Sequence, residues 1–537
     1  MKKFIHLFLA KLETTEIKSG RDLEKLKEKI SAVFGISPPS NADLRKAYLE
    51  GLRGGYSSVS LKAEKWLCAK KMRTSSGVAT VAVLTRDFPC RGECLYCPTE
   101  KSMPKSYLSN EPAVMRAVTV GFDPYQQVQK RLEALELNGH SVSKIEIIVM
   151  GGTFSHLPEQ YRYDFVKECF RACNEYRQGA RIKVKGGRIK KDIESVKEEL
   201  FLQQKRNETA AVRVVGLTLE TRPDSLDEKE VKKFRELGAT RVEIGVQSVD
   251  DGALKLNRRG HGAEETVRAT KLLKNAGFKV SYHMMLGLPG SSPKKDYLSM
   301  QKIFSDECFM PDLVKIYPCA VTSGSELFDL WRKGKYEPLS NSETEKLIIK
   351  IKKIIPPWVR VSRVIRDIPS TSIAAGPNIS NLRQLIAEKA KCRCIRCREI
   401  KKGIFDDKRA IMRRIDYAAS GGREIFLEWV DKKNEKLFSL LRLRLPTDNS
   451  NPILPELKNA ALFRELHTYG RAVTVGEKSV GRAQHAGLGK KLLMEAERIV
   501  KEESDYKKIA VIAGIGVREY YQKQGYGLEG CYMTKRI

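Results

Sequence analysis

Three cysteines stand at Cys90, Cys94 and Cys97, spaced C-x3-C-x2-C, directly after the apolar run Val78–Leu84. That run reads as a strand, so the cysteines occupy the loop leaving it. Three thiolates can hold a cubane iron–sulfur cluster while one iron stays open to chelate a small molecule. A structural zinc site normally closes with a fourth Cys or His close by, whereas the next histidine, His140, is far downstream. The cluster is the leading reading; a zinc site and buried structural thiols are the alternatives.

The elements that must position this loop are short apolar runs alternating with charged helical stretches. The runs are Val78–Leu84, Ile145–Met150, Val212–Leu217, Arg241–Val246, Lys279–Met284 and Leu313–Tyr317, with helices such as Asp227–Leu237 and Ala263–Ala276 between them. Six strand–helix units predict a parallel α/β array, too few for a closed eight-unit barrel. A partial (β/α)6 barrel is expected, its outer face covered and its site at the C-terminal strand ends. Special residues fall at those ends: Gly151-Gly152 after the second run, Glu220 and Arg222 after the third, Gln247 after the fourth. Paired glycines let backbone approach a ligand closely.

The pattern stops near Pro356-Pro357. Beyond an irregular stretch comes Cys392-x-Cys394-x2-Cys397, with no local fourth ligand. Cys319, just past the sixth strand, is expected to complete a tetrahedral four-cysteine zinc site that staples the barrel to this linker. A second cluster or free thiols are the alternatives. From about Ile411 the chain reads as a separate α/β domain. Gln484-His485-Ala486-Gly487-Leu488-Gly489 opens a helix there, and backbone N–H groups at such an N-terminus suit a pyrophosphate. Tyr520 and Tyr521 follow the next strand.

The chain has 537 residues, enough for several domains. Its 98 Lys and Arg against 66 Asp and Glu leave a net charge of +32. That excess predicts a polyanionic partner, with RNA favoured over a membrane. Residues up to about Met72 read as basic and helical, and Arg181–Lys191 as a basic insertion that is either mobile or an RNA contact. The 12 cysteines gather in short motifs, which suits metal chemistry in a reducing cytoplasm. The N-terminal apolar run is too short for a signal peptide, and no run reaches the roughly 20 apolar residues a membrane span needs.

The cysteine spacing, Met150–Phe154, Leu219–Asp224 and Glu243–Ser248 resemble radical S-adenosylmethionine (SAM) enzymes. Gln484–Gly489 with Tyr520, Tyr521, Gly525 and Tyr526 resembles GNAT acetyltransferases. One chain with both halves, and with Arg464-Glu465-Leu466-His467, resembles the catalytic subunit of Elongator and its stand-alone archaeal and bacterial relatives. The resemblance implies a tRNA wobble-uridine acyltransferase that makes 5-carboxymethyluridine. Cys90, Cys94 and Cys97 would hold a 4Fe–4S cluster whose open iron binds SAM, and acetyl-CoA would be the co-substrate. Gly151, Gly152, Glu220, Arg222, Glu243 and Gln247 are the implied SAM contacts. Lys144, Glu465, Leu466, His467, Thr468, Gln484, Gly487, Leu488, Gly489 and Tyr520 are the implied acetyl-CoA contacts. Lys144, Lys315, Tyr317, Tyr520 and Tyr521 are the candidate catalytic residues.

The expected division is a basic helical segment over 1–72, a radical SAM partial barrel over 73–360, a zinc-binding linker over 361–410 and a GNAT domain over 411–537. The implied partners are tRNA and an external electron donor, with no membrane, in a cytoplasmic protein acting alone or as a homodimer. The rival reading is a protein lysine acetyltransferase with a structural cluster, which would need a general base to deprotonate an amine.

Overall fold

The structure is a computed structural model that describes residues 2–55, 58, 60–67, 76–176, 192–379, 382–401, 405–470 and 487–537. Arg181–Lys191 and Gln484, both singled out from sequence, lie outside the described residues. So does the expected boundary at 72/73. Among the described residues no helix is long and apolar enough to cross a membrane.

The N-terminal segment folds as helices Lys2–Thr14, Gly20–Phe34, Asn41–Arg53 and Leu61–Trp66. Ser19 with Asp22, and Ser40 with Asp43, form reciprocal capping boxes that start the second and third. Phe4, Phe8, Leu23, Ile30, Leu44 and Tyr48 give these helices a core of their own.

The next strands are β1 (Ala79–Leu84), β2 (Lys144–Met150), β3 (Arg213–Thr221), β4 (Arg241–Gln247), β5 (Lys279–Leu286) and β6 (Leu313–Pro318), followed by β7 (Val321–Thr322), β8 (Arg360–Val364) and β9 (Ile373–Ala375). A parallel sheet in the order β1-β2-β3-β4-β5-β6-β8 forms the half-barrel, and β7 pairs with β9. The expected six strands are therefore seven. β8 escapes a hydrophobicity reading because it is five residues long and carries Arg360 and Arg363.

Alternation along each strand decides what the two faces do. Ile145, Ile147 and Val149 on β2, Val242, Ile244 and Val246 on β4, and Val280, Tyr282 and Met284 on β5 point outward. There they join the main core under helices Pro124–Leu137, Glu159–Glu175, Ala263–Asn275 and Asn341–Ile354. Each such buried side chain contributes about 1.5–3 kcal/mol. The residues between them face a cavity and are largely polar: Lys144 and Glu146, Arg241 and Glu243, Lys279 and His283, Lys315 and Tyr317.

The last strands are β10 (Ala410–Ala418), β11 (Gly422–Asp431), β12 (Leu437–Pro446), β13 (Ala460–Thr468), β14 (Lys508–Val511), β15 (Gly527–Glu529) and β16 (Tyr532–Arg536). They form a second sheet in the order β10-β11-β12-β13-β14-β16-β15. β13 and β14 run parallel, and helix Leu488–Glu503 lies between them in the chain. Leu492, Ala496 and Ile499 of that helix pack on Leu441, Leu443 and Phe463.

The second sheet meets the half-barrel through buried charge and close backbone. Arg464 of β13 donates from Nη1 to Asp312, just before β6, at 3.1 Å and to Glu424 of β11 at 2.7 Å. Arg444 reaches Glu424 at 2.9 Å and Asn275 at 2.6 Å; Arg442 lies 3.4 Å from Asp312. Lys274 sits 3.6 Å from both carboxylates. Burial pushes the Lys274 ammonium down to about 8. Burial acts to raise Glu424, but Arg464, Lys274 and Arg444 outweigh it and hold the carboxyl at about 2. At β3, a Cβ at Gly514 would lie 2.2 Å from the Val215 carbonyl oxygen, so only glycine permits this approach.

Removing one member of a buried ion cluster leaves charges unpaired where water does not reach. Arg464→Ala is expected to lower the unfolding free energy by about 3–5 kcal/mol in urea denaturation. Lys18→Ala, whose partner Glu16 is as exposed as Lys18 itself, should leave the transition in place. An unshifted Arg464→Ala transition would contradict this account of the junction.

Candidate functional site

One cavity of about 1230 Å³ runs from the cysteine loop through the half-barrel to the second sheet. Its lining includes Cys90, Cys94 and Cys97 and the strand-end residues Gly151, Gly152, Glu220, Arg222 and Gln247. It also includes Lys144, Glu243, Lys315 and Tyr317, then Glu465, Leu466, His467 and Thr468, and Gly487, Leu488, Gly489, Tyr520 and Tyr521. Every described residue that the sequence placed at SAM, at acetyl-CoA or in catalysis lines this one space.

At the cysteine end, Arg259 donates from Nη1 to Cys94 Sγ at 3.1 Å, and Arg222 Nη1 lies 3.9 Å from the same sulfur. The hydrogen bond from Cys97, then the Arg259 and Arg222 charges, hold the Cys94 thiol down to about 4 against its burial. A low thiol favours the thiolate that a metal needs. Among the described residues, only Cys392, Cys394 and Cys397 bring three sulfurs within 4.8 Å of one another. Cys90, Cys94 and Cys97 are therefore spread more widely as a set. Cys94 and Cys97 lie within hydrogen-bonding reach of each other, so the exposed Cys90 is the sulfur set apart. Gly151 (φ +131°) ends β2 beside them; a Cβ there would meet Thr85 Oγ1 at 2.0 Å.

Mid-cavity, His283 of β5 bridges two acids. Its Nε2 is 2.9 Å from Glu243 and its Nδ1 3.3 Å from Glu220. Lys315 also pairs with Glu243, and Tyr107 donates to Glu220 at 3.3 Å. Glu243, expected to contact SAM, thus spends its carboxylate on Lys315 and His283. His283 was missed from sequence, although its place between Ser281 and Met285 follows the inward alternation of β5. Burial and Lys315 push the imidazole down; Glu220 and Glu243 outweigh them and hold it above its ordinary value.

The far end lies at the N-terminal strand ends, where five of the seven strands begin with a cation: Lys144, Arg213, Arg241, Lys279 and Arg360. Arg213 pairs with Glu519, Arg241 with Glu146, Lys279 with Glu465 and Arg360 with Glu399. No carboxylate among the described residues pairs with Lys144, and burial followed by Arg213 lowers its pKa. His467 Nε2 lies 2.8 Å from the Ser76 carbonyl oxygen, and burial keeps the ring below its ordinary value. Gly487 caps helix Leu488–Glu503 with φ +77°. A Cβ at Gly489 would lie 3.5 Å from Tyr520 Oη.

The second cysteine set requires a correction. Cys392, Cys394 and Cys397 converge, with Lys352 Nζ 3.6 Å from Cys397 Sγ, but Cys319 does not join them. Cys319 packs with Cys94, Tyr96 and Leu288 beyond the C-terminal end of β6. The trio sits at the opposite end of the sheet, where Ile395 donates to the Val359 carbonyl just before β8. Leu313 pairs with Arg360 in register, so Cys319 is six residues, about 20 Å of strand, away.

The His283 imidazole is expected to titrate above its ordinary 6.5. The stability it contributes is complete below that value and is lost as pH rises through the raised one. Imidazole NMR signals followed against pH check this, and Glu220→Gln should move the midpoint down. A midpoint unmoved by that substitution would contradict the bridge.

Residues 89–297 match the Radical SAM superfamily and residues 311–391 the Radical SAM C-terminal domain. The chain is 44% identical to the tRNA uridine(34) acetyltransferase of Methanocaldococcus infernus, over 97% of each chain. It is 36% identical to Elongator complex protein 3 of Homo sapiens, covering 98% of this chain and 95% of that one. Among solved structures it resembles the archaeal Methanocaldococcus infernus Elp3 with an N-terminal deletion. That match has a TM-score of 0.72 at 44% identity and covers 86% of this chain and all of that one. A radical SAM half-barrel, a cavity reaching a second sheet and end-to-end identity with these proteins agree: the chain belongs to the family of the tRNA uridine(34) acetyltransferases and Elongator complex protein 3.

Proposed function

We propose that this protein modifies the wobble uridine of tRNA, joining the acetyl carbon of acetyl-CoA to uridine C5 and leaving a carboxymethyl group after thioester hydrolysis. The observation that carries the reading is the single cavity shared by Cys90, Cys94 and Cys97 at one end and the Gly487–Gly489 loop at the other. A cluster and SAM bound at the first end would supply a carbon radical. The chain's own residues do the rest. Cys90, Cys94 and Cys97 bind the cluster, with Arg259 and Arg222 stabilising the Cys94 thiolate. Gly151 and Gly152 let backbone approach SAM.

Across the cavity, the second sheet acts as a GNAT domain. The backbone N–H groups of the helix opened by Gly487 receive the CoA pyrophosphate, and Tyr520 closes over that loop. Lys144, a cation that pairs with no carboxylate among the described residues, faces the acyl end and orients the thioester oxygen. Lys315 and Tyr317 stand between the two ends and position the uridine. The +32 net charge supports a tRNA substrate. Lysine acetylation would need a free base, whereas at Glu465 burial is outweighed by the Lys279 and Arg442 charges, which leave it ionised and paired, far below the usual carboxylate range. The Cys392, Cys394 and Cys397 trio offers three thiolates beside the start of β8, and a closed structural zinc site there would need a fourth ligand.

Cluster-loaded, reduced protein incubated with tRNA, SAM and acetyl-CoA should yield 5-carboxymethyluridine in digested tRNA by mass spectrometry. Cys94→Ser should abolish that product. Lysine acetylation without modified uridine, or full activity in Cys94→Ser, would contradict the proposal.

A further inference from the structure

Arg259 carries a buried charge with no ordinary partner. It is only 4% exposed, and among the described residues no carboxylate pairs with it. Its Nη1 donates to Cys94 Sγ at 3.1 Å. Its Nη2 donates to the Gly245 carbonyl oxygen of β4 at 2.5 Å and lies 3.1 Å from His261 Nε2. His261 Nδ1 is 3.1 Å from the Gly262 carbonyl oxygen, so that nitrogen carries the proton and Nε2 accepts from Arg259. The Arg259 Nε–H is buried without an acceptor. Arg222 differs, because its Nη1 is farther from Cys94 Sγ, at 3.9 Å, and Asp224 pairs with it at 2.8 Å.

The segment that carries Arg259 is fixed to the cysteine loop. The Leu95 N–H donates to the Asn257 carbonyl oxygen at 3.4 Å, and Arg222 donates to the Arg259 carbonyl oxygen. Asn257 Nδ2 donates to the Pro289 carbonyl oxygen, beyond the end of β5, at 2.9 Å. Fixed acceptors therefore aim the guanidinium at Cys94. A buried cation is costly unless an anion meets it, and the anion on offer here is the one that Cys94 holds.

We infer that Arg259 sets the reduction potential of the iron–sulfur cluster, as a positioning residue that acts through Cys94. The inference rests on reading Cys90, Cys94 and Cys97 as cluster ligands. A [4Fe–4S] cluster on three thiolates is an anion, and each electron it accepts makes it more negative. A cation held against one ligand sulfur favours the reduced form, and a hydrogen bond to that sulfur acts in the same direction. Burial enlarges both effects, since water does not screen them. His261 and Gly245 keep the donor in line, as outer partners do around a metal ligand.

The test is a redox titration of the cluster-loaded full-length protein without SAM, using titanium(III) citrate and following the reduced cluster by electron paramagnetic resonance. Arg259→Gln removes the charge and should lower the midpoint by at least about 59 mV, which is about tenfold in the one-electron reduction equilibrium. Arg259→Lys restores the charge and should recover more than half of that shift. An Arg259→Gln midpoint equal to that of the unsubstituted protein would overturn the inference. So would a midpoint lowered only once SAM is added, which would make Arg259 a SAM contact instead. If Arg259→Gln takes up no cluster, His261→Leu carries the test. It removes only the acceptor that aims the guanidinium, should lower the midpoint by about threefold in the same equilibrium, and an unmoved midpoint there overturns the inference. If the unsubstituted protein takes up no cluster, the cysteine reading fails, and this inference with it.

Discussion

Asp312 and Glu424 are buried carboxylates from the two halves of the molecule, and Arg464 holds both. The rest of the structure depends on that contact. In a medium of low polarity, ions this close bind strongly, but their desolvation nearly cancels the gain against a well-packed apolar contact. The weight of the cluster lies in what breaking it would cost. Lys274, Arg442 and Arg444 share the same acids, so sliding one sheet past the other would strand several charges together. The next residue after Arg464 is Glu465, which lines the cavity. Fixing one therefore places the other, and with it the far end of the site.

The second constraint is the two-residue period of the half-barrel strands. An apolar outer face under helices leaves the inner face free to carry charge. The inner face becomes a column of paired ions from Arg213 and Arg241 up through Glu243, His283 and Lys315 to Glu220. Such pairing lets a large polar cavity persist in a folded core. Among the described residues no carboxylate pairs with Lys144.

Much of this was legible in the residues. The cysteine spacing, the six apolar runs and the glycines at their ends located one wall of the cavity, because strand ends are where backbone turns and side chains converge. β8 was not legible, since Arg360 and Arg363 mask a strand whose Val361 and Val364 are its only buried contribution. Nothing in the sequence marks the three arginines of the junction as buried, and only the fold brings acids to them. Cys319 was assigned to the wrong partners because a place just past the sixth strand does not say at which end of the sheet the distant Cys392–Cys397 motif lies. The role of His283 needed Glu220 and Glu243, which come from two other strands.

The central claim is that chemistry begun at the cysteine loop reaches a molecule held by the second sheet through one continuous cavity. Acetyl-CoA carrying a trideuterated methyl group tests it directly in the loaded enzyme with tRNA and SAM. The account predicts 5′-deoxyadenosine that has gained one deuterium, measured by mass spectrometry alongside a dideuterated carboxymethyl group on uridine. Modified uridine formed with no deuterium in the 5′-deoxyadenosine would contradict it.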